Sequence, residues 1–137
     1  MADEKQPIYR ILDANFNRLR EALRVVEEFF RFIDENEEAC VSLKGMRHLL
    51  TDMEKQIGQD ALLSNRDTGT DCFASESRPE EMNRSNTIDV LNANFKRAQE
   101  ACRVIEEYSK AADAKDVSRQ AKKIRFTLYT LHKATNI

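Results

Sequence analysis

The sequence predicts an all-α protein, a pseudo-twofold four-helix bundle built from two duplicated helical hairpins joined by a long central loop. Three observations predict it. The stretch Leu12–Phe29, LDANFNRLREALRVVEEF, recurs without gaps as Leu91–Tyr108, LNANFKRAQEACRVIEEY, with identity at eleven of eighteen positions. Such self-similarity marks an internal duplication. In the first copy Leu12, Phe16, Leu19, Leu23, Val26, Phe30 and Ile33 recur at steps of three and four, and Leu91, Phe95, Ala98, Cys102 and Ile105 repeat the pattern. That spacing draws one face of a helix. Neither copy contains Gly or Pro, and the Arg, Leu, Glu and Ala that fill them are good helix formers.

Each element follows from local signals. Met1 to Gln6 read as a loose tail, and Pro7 suits a first helical turn. Helix 1 is expected from about Ile8 to Asp34, where Asp34-Glu35-Asn36 ends the periodicity; so short a connection implies an antiparallel neighbour. Helix 2 is expected from about Glu38 to Ile57, with Val41, Met46, Leu49, Leu50, Met53 and Ile57 apolar and Gly58 closing it. Periodicity fails from Gln59 to Asn86, a long loop for a compact domain. Ser85 or Asn86 can cap helix 3, Thr87 to about Ala112. Asp113 to Asp116 turns the chain into helix 4, about Val117 to Ala134, with Ile124, Leu128 and Leu131 inward. Lys44-x-x-Arg47 and Lys122-x-x-Arg125 correspond between the second helices, shifted by one residue, so the repeated unit is a whole hairpin. The expected organisation is one domain, 1–137, with repeat units of about 8–58 and 87–134 around a loop of about 59–86.

Composition narrows the function. A chain of 137 residues with 41% apolar and 34% charged residues, three Gly, two Pro and no Trp reads as a soluble, helix-rich domain. The net charge of −2 offers no broad basic field for nucleic acid. No apolar run approaches the roughly 20 residues of a membrane span, and the N-terminal MADEKQPIYR has no apolar core of a secretory signal. Cys40, Cys72 and Cys102, odd in number and widely spaced, fit neither a disulfide framework nor a zinc site, so reduced thiols in a cytoplasmic protein are expected. With three isolated glycines there is no P-loop, dinucleotide fingerprint or Gly-rich kinase loop. His48 and His132 lack metal-ligand spacing and read as surface or satisfied core residues.

Three features stand above this background. Asn15 and Asn94 fall about 60° from Leu12 and Leu91, inside the apolar stripe, and Arg18 and Arg97 follow one turn later at its edge. Two equivalent Asn-x-x-Arg pairs are therefore expected to point inward, as a buried polar layer or as a shared site in which the planar guanidinium suits phosphate. The loop NRDTGTDCFASE gathers Arg66, Asp67, Thr68, Thr70 and Asp71 around Gly69, with Arg84 further on. Carboxylates can hold Mg²⁺ and Arg can bind phosphate, while a Gly-Thr backbone admits an anion; an ordinary turn has the same composition. The third feature, Glu27, Glu28, Arg31, Glu106 and Glu107, reads mostly as a solvated face, with Arg24–Glu28 and Arg103–Glu107 at helical ion-pair spacing.

The strings RILDANFNRLREALRVVEEFFRF, LKGMRHLL, SNRDTGTD and VLNANFKRAQEACRVIEEY together resemble, over nearly the whole chain, the small all-helical hydroxymethylpyrimidine-phosphate kinases of thiamine biosynthesis. These are the type unrelated to ribokinases and often fused ahead of thiamine-phosphate synthase, whose barrel of about 200 or more residues could not fit here. The resemblance implies ATP-dependent phosphorylation of hydroxymethylpyrimidine phosphate to the diphosphate, with ATP and Mg²⁺ as cofactors. It implies Arg66 and Asp67 as catalytic residues, Asn15, Arg18, Asn94, Arg97, Thr68 and Arg84 as binders of the substrate and ATP phosphates, and Asp67 and Asp71 as metal ligands. Such a site would work by positioning and charge neutralisation. The partners implied are a phosphorylated pyrimidine and ATP, no nucleic acid or membrane, with a homodimer and an association with thiamine-phosphate synthase left open. Where the family loop commonly continues Asp-Val-Gly-Thr, this chain has Asp71-Cys72-Phe73-Ala74, which removes a glycine from the expected anion cradle. Two other readings remain at this point: a ligand-binding or regulatory helical module without chemistry, and a helical dimerisation scaffold.

Overall fold

The two copies of the repeat become helices α1 (Lys5–Phe32) and α5 (Thr87–Ala111), which lie against each other over the largest helix interface in the computed structural model. Residues 4–135 are described; Met1 to Asp3 of the expected tail lie outside them, and helix begins at once at Lys5 with Pro7 in its first turn. Helix α2 (Glu37–Ile57) packs on α1, and α6 (Lys115–Thr135) packs on α5 and touches α2. Two short helices, α3 (Gln59–Ser64) and α4 (Pro79–Met82), lie in the connection between the hairpins. Helices are the only regular elements among the described residues, so the fold is all-α.

The predicted apolar stripes form the core. Leu12, Phe16, Leu19, Leu23 and Val26 of α1 meet Leu91, Phe95, Ala98, Cys102 and Ile105 of α5, all buried. Phe30 and Phe95 meet edge to face at a centroid distance of 6.3 Å, a favoured aromatic geometry. Two expected core positions are corrected: Ile33, just past the end of α1, and Val41 on the outer face of α2 are exposed. The inward set of α2 is Ala39, Leu43, Met46, Leu50 and Met53, a run at steps of three and four that places Val41 on the far side.

Local chemistry fixes the ends. Asn36 caps α2 by accepting from the Ala39 N–H (3.0 Å), and Asn86 rather than Ser85 caps α5 by accepting from Asp89 N–H (2.9 Å). Asp89 returns a bond by accepting from Ser85 N–H, a reciprocal arrangement close to a capping box. Gly58 closes α2 at φ 114°, a backbone conformation costly for any residue with a Cβ. The connection expected to lack structure opens instead with α3, because Leu62 is apolar and buries itself where α3 meets α1 and α2.

Equivalent contacts recur in the two halves. Asn15 Nδ2 donates to Ile11 O (2.9 Å) and Asn94 Nδ2 to Val90 O (2.8 Å). Glu27 pairs with Arg47 of α2, and Glu106 with Arg125 of α6. Glu27 and Glu106 are thereby buried, which corrects the expectation of a purely solvated face; Glu28 and Glu107 keep their exposed pairs with Arg24 and Arg103. The Lys-x-x-Arg correspondence between the second helices was the sequence signal for these pairs. Their partners lie on a different helix, so helical spacing within one element could not match them.

Candidate functional site: a groove between the two repeat helices

On the face of the α1/α5 pair left uncovered, a groove of about 500 Å³ runs between the helices. Its lining comes in equivalent pairs: Asn15 and Asn94, Arg18 and Arg97, Glu21 and Glu100, Ala22 and Ala101, Val25 and Val104. The duplication explains this, since two copies of one amphipathic pattern laid side by side present the same edge twice. Small Ala22 and Ala101 let the helices approach, and the longer side chains form the walls.

The two asparagines are buried, as their stripe position predicted. Each spends its amide N–H₂ on the carbonyl one turn back, which turns Oδ1 into the free face of the amide. Asn15 Oδ1 accepts a long bond from Arg18 Nη1 (3.5 Å). The two arginines do not sit at the bundle's heart. Both are exposed and stand on the lips of the groove, because a guanidinium at the stripe's edge extends along its stem to water. Neither forms an ion pair among the described residues. The groove therefore offers two unpaired guanidinium forks, two amide oxygens as acceptors and two carboxylates, around a floor of Ala and Val.

The loop residues expected beside these form a separate, shallower cleft of about 310 Å³, lined by Arg10, Asp13, Arg66, Asp67, Thr68 and Asp71 among others. Glu21 lines both cavities, so the two are neighbours across α1. Arg66 grips the buried Asp13 with two bonds, Nε to Oδ2 at 2.7 Å and Nη2 to Oδ1 at 2.8 Å. That bond and the charge behind it raise the Arg66 pKa. Arg10 Nη2 donates to Asp67 O (2.6 Å). Asp67 accepts from the Thr70 hydroxyl (2.6 Å) and the Thr70 N–H (3.1 Å), which hold its carboxyl below the usual range. Asp71 accepts from Phe73 N–H (3.0 Å), and Thr68 O from Asp71 N–H. Arg84 lies apart from both cavities and ties α4 to the loop by donating to Glu80 O and Asn83 O.

These bonds bear on the expected anion cradle and Mg²⁺ site. The N–H groups of Thr70, Asp71 and Phe73 are all spent within the loop, and no loop residue takes a left-handed φ. The Asp67 and Asp13 oxygens are engaged by Thr70 and Arg66, and two guanidiniums flank them. Among the described residues no group of three or more His, Cys, Asp or Glu is placed to hold a metal ion. As arranged, Asp67 and Asp71 accept bonds from within the loop and are not gathered with a third carboxylate, His or Cys among the described residues, so the cleft presents no formed site for a divalent cation.

The remaining polar network inside the bundle is structural. His132 stacks on Phe95 at 4.3 Å with an interplanar angle of 7°. Its Nε2 lies 2.9 Å from Asn92 Oδ1 and its Nδ1 3.3 Å from Gln99 Nε2, so a neutral ring protonated on Nε2 satisfies both. Burial, and Lys96 beside it, lower its pKa. Among the described residues no helix is long and apolar enough to cross a membrane.

Comparison with known proteins gives these cavities a context. The chain is 40% identical to a thiamine-phosphate synthase of Thermosynechococcus vestitus over 99% of its own length and 37% of that protein's. It is 40% identical to those of Gloeobacter violaceus and Synechocystis sp., over 93% and 90% of this chain and 36% and 35% of theirs. The chain thus spans little more than a third of the relatives it matches. No solved structure matches it. These relatives overturn the expected hydroxymethylpyrimidine-phosphate kinase activity, for they are named for the synthase reaction. The match to them runs over nearly the whole of this helical domain, so the likeness marks the domain and does not by itself select a kinase reaction. The role in thiamine biosynthesis stands. Residues 10–134 match a single family model, and the chain belongs to the ThiD2 family, a domain of thiamine biosynthesis.

Proposed function

We propose that this domain binds a phosphorylated pyrimidine in the α1/α5 groove and acts with the transferase chemistry that forms thiamine phosphate. The observation that carries the reading is the pair of unpaired arginines, Arg18 and Arg97, facing each other across a groove floored by buried Asn15 and Asn94. A guanidinium without a carboxylate partner is suited to bidentate capture of phosphate. The asparagine oxygens accept hydrogen bonds, which suits the exocyclic amino group of an aminopyrimidine. A volume of about 500 Å³ is in the range of small-molecule sites. The loop cleft lies next to the groove across α1, with Glu21 common to both, and its arginines are taken up by Asp13 and the Asp67 carbonyl. ATP presents the same phosphate chemistry to Arg18 and Arg97 and belongs in the same test, with and without Mg²⁺.

Isothermal titration with a phosphorylated aminopyrimidine, thiamine phosphate and ATP tests this reading. Arg18→Ala and Arg97→Ala should each weaken the bound ligand about tenfold, the loss of one charge-assisted contact. Equal loss from both variants is expected because the groove presents each residue twice. Unchanged affinity in both would remove the groove from ligand binding. Adding the domain to a thiamine-phosphate-forming assay then reads whether occupancy of the groove changes the rate.

A further inference from the structure

We propose a second ligand site, distinct from the groove, in the cavity at the α1–α2 turn, for a small organic anion that also carries an amino group or cationic ring. The duplication itself points there. Glu106–Arg125 and Glu27–Arg47 are equivalent pairs, yet they have been finished differently. Arg125 is sealed: Phe126 and Tyr129 stack on its guanidinium at 4.9 and 5.7 Å, Tyr129 Oη accepts from it, and its side chain is 10% exposed. The positions equivalent to Phe126 and Tyr129 in α2 hold His48 and Thr51, so the two stacking rings are not repeated there. Arg47 is 22% exposed and opens onto a cavity of about 620 Å³. Its Nη2 donates twice to Glu27, but its buried Nε has no partner. An unmet buried guanidinium N–H is costly to keep, so this pair is finished less completely than its counterpart in the second hairpin.

The rest of the lining completes a site. Lys44 forms no ion pair among the described residues, and Arg31 meets only the Phe32 ring, at 4.8 Å. Both cations line the same cavity as Arg47. Glu35 and Glu37, without ion pairs among the described residues, line it as well, so the cavity presents both signs of charge. Glu35 also holds a left-handed φ of 52°, as Asp113 does at 57° in the α5–α6 turn, a conformation that belongs to both helix–helix turns. Phe30 and Val41 add apolar wall. A phosphate or carboxylate would take Lys44, Arg31 and the exposed part of the Arg47 guanidinium; an amino group or cationic ring would take Glu35 and Glu37.

Cys40 lines the cavity and reports on its occupancy. In a Cys72→Ser background, alkylation of Cys40 is followed while pyridoxamine 5′-phosphate, phosphoethanolamine or inorganic pyrophosphate is added, with affinity read by calorimetry; buried Cys102 stays silent. At least one of the two zwitterions should bind saturably, more tightly than pyrophosphate, and slow the alkylation of Cys40. Lys44→Ala and Arg31→Ala, both at exposed positions, should each weaken that binding about tenfold. Arg18→Ala, in the groove, should leave it unchanged, which separates this site from the proposed function. Failure of both zwitterions to bind, binding without protection of Cys40, or indifference to both cavity variants would overturn the proposal. Binding by pyrophosphate as tight as that of the zwitterions would overturn the role given to Glu35 and Glu37.

Discussion

Replacing Glu106 by Gln removes the one carboxylate that, among the described residues, pairs with Arg125 in the core of the second hairpin. Two strong bonds, Nε to Oε2 and Nη2 to Oε1 (2.9 Å), lose their charge. What remains for the guanidinium is one neutral bond to the amide oxygen, a 3.4 Å bond to Tyr129 Oη and two aromatic faces. With side chains 10% and 6% exposed, neither water nor rotation can relieve Arg125. Breaking a buried pair in this way costs about 3–5 kcal/mol. At this chain length each kcal/mol moves the melting temperature by roughly 3–5 °C, so a drop of about 9–25 °C is expected. Glu27→Gln is the internal control. Arg47 is 22% exposed and can turn into the adjoining cavity, so about 1–2 kcal/mol is expected there. Thermal and urea melts followed by circular dichroism measure both. The double variant Glu106→Leu/Arg125→Met should recover most of the loss, because an apolar pair of similar volume leaves no uncompensated charge. Equal destabilisation by Glu106→Gln and Glu27→Gln, or a double variant no better than the single, would refute the reasoning.

Other consequences are as direct. Gly45 lies inside α2 with nothing within 4 Å of an added Cβ, so Gly45→Ala should raise stability by about 0.5–1 kcal/mol in a urea melt. The depressed pKa of His132 means the unfolded chain takes up its proton first as pH falls. Its contribution is thus complete above the ordinary value of 6.5 and is lost as pH drops through the lower folded value; His132→Gln should flatten melting temperature against pH in that window. Asp13→Asn, which installs the residue the second repeat carries at Asn92, should release Arg66 and speed tryptic cleavage there several-fold. The global melt should move little, since Arg66 is 43% exposed.

How much was legible follows from which interactions are local. The register of α1 and α5, their buried faces, Gly58 and a cap at Ser85 or Asn86 were readable because each depends on neighbours within a turn of the chain; the capping role of Asn36 came from the structure. The inward placement of Asn15 and Asn94 was readable for the same reason. The position of Arg18 and Arg97 on the groove's lips was not, because a long side chain at a stripe's edge goes where packing leaves room. The internal grip of Arg66 on Asp13 spans 53 residues, and no spacing rule reaches that far.

By itself, then, the sequence determined the all-helical class, the doubled hairpin, most of the core and the thiamine-biosynthesis resemblance, since periodicity, propensity and repetition are properties of a chain before it folds. The tertiary structure decided which polar residues share a cavity. It set Arg18 against Arg97 across the groove, took up the loop's donors within the loop, buried Glu27 and Glu106 on partners from other helices, and left Arg47 open where Arg125 is covered. The physical reason is that a charge's role depends on what surrounds it. Two copies of one motif carry the same charges, and only packing sets whether each is sealed as structure or offered to a ligand.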